Sequence, residues 1–171
     1  KTLGNGYAIT AVVGKRSVME ATQNTFISST FWTERIGPTA ALATLGEMEK
    51  IKSWEIITKK GKKVQKGWKK IAKENGLSIK IAGIPSLSTY SFISDKSLEY
   101  KTFVTQEMLE LGFLASNAFY ACTEHKDEYI ENYLDALNGV FRTINKCESN
   151  DLVISDLLKG PVCHGGFKRL N

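Results

Sequence analysis

The stretch from Lys126 to about Lys146 constrains the fold more than any other. Ile130, Tyr133, Leu134, Leu137, Phe141 and Ile144 recur at three- and four-residue steps, the spacing that lines up one face of a helix. Asp127 and Glu128 occupy its first turn, where acidic side chains complement the helix dipole. A seam that apolar has to be buried against a second layer, and the chain offers one upstream. Leu77 to Ile84 and Leu87 to Ser94 read as strands joined through Pro85-Ser86, with Leu87, Thr89, Ser91 and Ile93 alternating against Tyr90 and Phe92. Such a pair belongs in an antiparallel sheet. Ser97 to Leu111 follows as an amphipathic helix with Tyr100, Phe103, Val104, Met108 and Leu111 on one side and Gly112 as its stop. Phe113 to Ala115 and Phe119 to Cys122 are predicted as short strand pieces around a Ser116-Asn117 turn, and Asp151 to Leu158 as a short helix before a glycine-rich tail.

The first third of the chain is organised differently. Ala8 to Gly14 is predicted as a strand, and Ser17-Val-Met-Glu20 as a capping box opening a helix through about Gln23. Thr25 to Trp32 is β-prone and carries Ser28, Ser29 and Thr30, hydroxyls of the kind that hold a phosphate beside free backbone N–H groups. Gly37-Pro38 opens the next helix, in which Ala40, Ala41, Ala43 and Thr44 are thin enough for close packing and Leu42, Leu45 and Met48 are expected in the core. A break is expected near Lys52 to Trp54, so the chain divides there into residues 1–50 and 51–171.

Beyond the break, Lys59, Lys60, Lys62, Lys63, Lys66, Lys69, Lys70 and Lys73 stand together, and they account for a net charge of +5; without them the chain is slightly acidic. Such a stripe could mark a non-catalytic module that docks on anionic partners, nucleic acid included. Val64, Trp68, Ile71 and Ala72 nevertheless fall at helical spacing inside it, which favours a lysine-rich, solvated helix with one buried seam ending at Asn75-Gly76.

The remaining chemistry is sparse. Cys122, Cys147 and Cys163 are odd in number and widely spaced, which argues against a disulfide framework or a zinc ribbon, and His125 and His164 are too few for a histidine-rich metal site. No apolar run is long enough to span a bilayer and no signal sequence is evident, so a cytoplasmic location is expected. His125 reads as a helix-terminus or surface residue. Phe167-Lys168-Arg169 after two glycines could aim an arginine at a carboxylate, although a solvated end is the simpler reading. Lys1 is the exception: a primary amine, then the glycine-broken Gly4-Asn5-Gly6 loop, then an apolar segment, a seat suited to an imine.

The order Lys1, Gly-Asn-Gly-Tyr, apolar segment, Gly-Lys-Arg-x-Val-Met and Phe26-Ile-Ser-Ser-Thr-Phe-Trp-Thr-Glu-Arg-Ile-Gly-Pro-Thr-Ala-Ala-Leu-Ala-Thr-Leu45 closely resembles class III pyridoxal-phosphate-dependent aminotransferases, nearest the branch of glutamate-1-semialdehyde aminomutase. The likeness continues through Gln106 to Ala115, the Phe119 to His125 stretch and Phe167 to Leu170. The resemblance implies an α/β fold: the C-terminal part of a fold-type I transferase, in which residues 1–50 end the large cofactor domain and include a bridging helix, and residues 51–171 form a small α+β domain. It implies pyridoxal 5′-phosphate as cofactor and Lys1 as the lysine of the internal aldimine. It also implies a homodimer in which Ser29 or Thr30, with Thr30 preferred, reaches the cofactor phosphate of the other subunit. The activity implied is transfer of an amino group between an amine or amino acid and a keto acid or aldehyde, with intramolecular amino transfer as the alternative. The family's aspartate for the pyridine nitrogen, its ring-stacking aromatic and its phosphate turn all precede the lysine, so these residues alone are expected to be inactive.

Overall fold

The computed structural model describes residues 2–30 and 32–166, and these divide into two compact units at the junction of Ser53 and Trp54.

In the first unit, α1 (Arg16–Met19) passes into a 3₁₀ turn (Glu20–Asn24), and α2 spans Ile36–Ile51. Ser17 lies inside α1, which starts after Lys15 without a side-chain cap, so the predicted capping box does not form. Pro38 sits in the first turn of α2, where a missing N–H leaves no helical bond unmade. Residues 8–15 and 26–29 are not strands, contrary to expectation. A strand is defined by its neighbour, and no described residue pairs with either segment; Val12, Val13 and Phe26 are exposed. Leu42 and Leu45 are exposed as well, and only Gly37 and Ala41 of α2 are buried. Lys52 ends α2 in the left-handed conformation at φ 49°, which is the expected break.

The second unit is an α+β sandwich of helices on one face of a three-stranded antiparallel sheet, ordered β1 (Ile79–Ile84), β2 (Leu87–Phe92), β3 (Ala118–Tyr120). The helices are α3 (Ser53–Glu74), α4 (Ser97–Glu110), α5 (Asp127–Glu148) and α6 (Ile154–Leu157). Ile79 pairs with Phe92, Ile81 with Tyr90 and Thr89 with Ala118, so Tyr90 and Phe92 share the helix-covered face with Ile79 and Ile81. Residues 113–115, predicted as a strand piece, stay irregular.

Both long periodic helices bury the seam their sequences specify. Val64, Trp68, Ile71 and Ala72 of α3 meet Ile130, Leu137, Phe141 and Ile144 of α5 in one cluster with Tyr90, Phe92, Tyr100 and Phe103. Trp68 lies 4.8 Å from Tyr90, and Phe92 5.2 Å from Phe141, ring centre to ring centre. Gly76 (φ 64°) and Gly112 (φ 85°) close α3 and α4 with paired bonds, Leu77 N–H to Ala72 O with Gly76 N–H to Lys73 O, and Phe113 N–H to Met108 O with Gly112 N–H to Leu109 O.

The hairpin turn is fixed to α3 by a close approach. Buried Ser88 accepts a hydrogen bond from Gln65 (2.8 Å) and its hydroxyl lies 3.0 Å from the Ile84 carbonyl, while a Cβ at Gly61 would fall 1.8 Å from Pro85 O. Backbone cannot yield to that overlap without moving the turn. Gly61→Ala is therefore expected to destabilise the protein by about 1–3 kcal/mol, read as a lower urea midpoint; an unchanged midpoint would contradict this packing.

Candidate functional site

Lys1 lies outside the described residues; the chain leaving it is described from Thr2 onward. Residues 2–6 form a turn in which Asn5 (φ 46°) and Gly6 (φ 107°) adopt the left-handed side of backbone space, and Tyr7 N–H bonds Gly4 O at 3.2 Å. Gly4 is buried so tightly that a Cβ would fall 2.1 Å from Tyr7 O. The following residues are held by α2: a Cβ at Gly37 would lie 2.8 Å from Ala8 O and 3.2 Å from Ile9 Cβ. Two glycines thus fix the segment after Lys1 against the first turn of a helix.

Ser29 and Thr30 are exposed at the end of the irregular segment that follows the 3₁₀ turn. A primary amine and two hydroxyls are the donor types that an aldehyde and a phosphate require, so the candidates fit pyridoxal phosphate in kind. Phe167 to Leu170, the C-terminal part of the family likeness, also lies outside the described residues.

The lysine stripe is largely solvent-facing, but three of its members have local partners, Lys70 pairing with Glu74 at 3.7 Å along the same helix. Lys63 bridges Asp127 (3.0 Å) and Glu131 (2.7 Å), which holds its ammonium above the usual lysine range and the Asp127 carboxyl below the usual carboxylate range. Lys60 Nζ donates to the carbonyls of Thr123 (2.9 Å) and His125. The buried Val64 and Trp68 seam of the same helix is that of an amphipathic core helix.

The Lys60 contacts organise a feature that sequence reasoning missed. They secure the 121–126 loop, in which His125 Nδ1 accepts the Cys122 N–H at 3.0 Å and the imidazole packs 4.9 Å from Phe119. An accepting Nδ1 carries no proton, so the neutral ring is protonated on Nε2. Beside it is a cavity of about 480 Å³ lined from the 112–115 segment, from β3 and from the first turns of α5. Tyr129 and Tyr133 at i, i+4 were its one trace in the sequence.

Burial, and secondarily the Lys60 charge, lowers the His125 pKa from its usual 6.5. Between the lowered folded value and the unfolded one, the unfolded chain binds the extra proton, so stability falls as pH drops through that window. His125 is expected to titrate below 6.5 by NMR, and His125→Gln to remove this part of the pH slope in urea unfolding. Titration at or above the ordinary value would contradict the loop geometry.

Among the described residues, no group of three or more His, Cys, Asp or Glu could hold a metal ion, and no helix is long and apolar enough to cross a membrane. The cysteines are unbridged, with Cys122 exposed and Cys147 buried.

No family model matches the chain. It is 29% identical over 154 residues to a 3-aminobutyryl-CoA aminotransferase of Cloacimonas acidaminovorans (strain Evry), which covers 85% of this chain and 37% of that protein. It is 25% identical over 161 residues to a glutamate-1-semialdehyde 2,1-aminomutase of Ignicoccus hospitalis, covering 85% and 38% respectively. The structure of the internal aldimine form of the FumI protein of Sphingopyxis sp. MTA144 superposes with a TM-score of 0.76 at 19% identity, over 91% of this chain and 38% of that one. The chain thus spans less than two-fifths of the length of these relatives. The relatives it matches are named as aminotransferases and as glutamate-1-semialdehyde 2,1-aminomutases, and its fold is shared with a little over a third of a pyridoxal-phosphate internal aldimine structure.

Proposed function

We propose that these residues are the C-terminal part of a cytoplasmic, homodimeric aminotransferase that uses pyridoxal phosphate to move an amino group between an amine or amino acid and a keto acid or aldehyde. The observation that carries this reading is the likeness to such enzymes across 85% of the chain. When bound, pyridoxal phosphate supplies the electron sink that makes amino and carbonyl groups interchangeable. Lys1 Nζ would hold the cofactor's aldehyde and would serve as the base that moves the proton at the substrate's amine-bearing carbon. Thr30, with Ser29 as its neighbour, would hydrogen-bond the cofactor phosphate of the other subunit. Residues 1–50 end the cofactor domain and residues 51–171 form the small domain. Exposed Val12, Val13, Phe26, Trp32 and Leu42 support assignment of the first part to a larger body, because apolar surface of that extent marks an interface. Likeness to an aminomutase favours a second reading, amino transfer within one molecule. Mass analysis of products from an isotopically labelled amine separates the two.

The cross-subunit role is tested by complementation in the polypeptide carrying these residues. Thr30→Ala is expected to weaken cofactor binding by about tenfold or more, the effect of losing a hydrogen bond to a charged group. Lys1→Ala and Thr30→Ala subunits are each impaired as homodimers. Mixed, they are expected to regain activity, because one site per heterodimer then holds an intact Lys1 and an intact Thr30. No recovery in verified heterodimers would place the phosphate contact within one subunit or elsewhere.

A further inference from the structure

The cavity beside His125 has features that the aminotransferase reading does not use. Its volume of about 480 Å³ falls within the range that admits a small molecule, roughly 300–1,000 Å³. Phe113, Phe119 and Ile130 give it an apolar lining from three separate parts of the chain. Its polar side chains are His125 and tyrosines, without a carboxylate, amide or ammonium.

Two of those side chains are committed in a way that leaves them as donors. His125 Nδ1 is occupied by the Cys122 N–H, which leaves Nε2–H as the hydrogen-bonding edge of the ring. The Tyr133 hydroxyl accepts the Trp68 indole N–H at 2.8 Å, so its own proton is what it has left to give. Lys126 sits 5.7 Å from the centre of the Tyr129 ring, and Lys60 is held under the same loop by the carbonyls of Thr123 and His125. Of the acids nearby in sequence, Asp127 and Glu131 are engaged with Lys63, while Glu124 and Glu128 are exposed. An apolar chamber with two fixed donors, His125 Nε2–H and the Tyr133 hydroxyl, complements a ligand with an apolar body and an anionic, hydrogen-bond-accepting head.

We infer that this cavity is a binding site for a small monocarboxylate with an aromatic or branched apolar body, its carboxylate taken by His125 and Tyr133. The site lies wholly within the second unit, and the inference does not rest on Lys1. Ammonium compounds of the same shape are disfavoured, since a cationic head leaves the His125 and Tyr133 donors without an acceptor.

The test is an amide and methyl NMR titration of the protein with 3-phenylpropionate and, separately, with 2-phenylethylammonium. The carboxylate is expected to saturate, with shifts centred on Phe113, Phe119, Ile130 and Tyr133, and the ammonium to bind at least about tenfold more weakly, a difference of ~1.4 kcal/mol. Ala115→Phe, at a lining residue packed against the core, puts a ring into the cavity wall and is expected to abolish the titration. Should that variant fail to fold, intermolecular NOEs from the phenyl protons to Phe113 and Ile130 in the unaltered protein decide the location. Equal affinity for the two probes, the absence of a saturable titration, or NOEs elsewhere would overturn the inference.

Discussion

Replacing Lys1 with alanine is expected to lower amino-group transfer by at least about 10²–10⁴-fold, the range associated with losing a positioned acid–base group, and to let the cofactor wash out on dialysis. Both losses arise from one nitrogen. A primary amine holds the aldehyde covalently before substrate arrives, and the same amine moves the proton during turnover. Lys1→Arg is expected to fail as completely, because a guanidinium retains the charge but is neither a ready nucleophile nor a proton carrier near neutral pH. The two variants therefore separate chemistry from electrostatics. Partial recovery of Lys1→Ala by added methylamine would show that the missing function is the amine itself, which a purely structural lysine would not reproduce. Unimpaired turnover in either variant would remove Lys1 from the reaction.

Trp68→Ala is expected to cost about 3–5 kcal/mol of folding free energy, the usual consequence of emptying a large aromatic site. Trp68 is fully buried, packs on Tyr90 and donates its indole N–H to Tyr133, so the variant loses apolar burial and an aromatic contact and strands a polar partner. For a protein with the usual 5–15 kcal/mol in hand, that removes a large part of the margin. Lys69→Gln, one residue along on the exposed side of α3, is expected to change stability by no more than ~0.5 kcal/mol. The contrast separates a core seam from a surface built for anionic partners. A Trp68→Ala loss below about 1 kcal/mol in urea unfolding would contradict the core described above.

The second unit was legible because it closes on itself. α3 and α5 each carry their own apolar period, the β1–β2 register follows from alternation around Pro85-Ser86, and the ends of α3 and α4 are set by glycines with positive φ. Every one of these signals is local and finds its partner within residues 54–166. The first unit was less legible for the opposite reason. Val12 and Val13 have the side chains of a strand, yet pairing depends on a neighbour that no described residue provides, and Ser17 is overtaken by a helix that begins one residue earlier. The candidate site came from the family likeness of Lys1, Ser29 and Thr30 more than from their spacing. The His125 cavity could not be read in advance, because it joins a segment after α4, an edge strand and the start of α5, and no short-range pattern records that meeting.

The central claim, that Lys1 carries the cofactor, is tested most directly by loading the polypeptide with pyridoxal phosphate, reducing with borohydride and mapping the labelled peptide by mass spectrometry. A single stoichiometric pyridoxyl group on Lys1 is the predicted result. Label on any other lysine, those of α3 included, with Lys1 unmodified would contradict it.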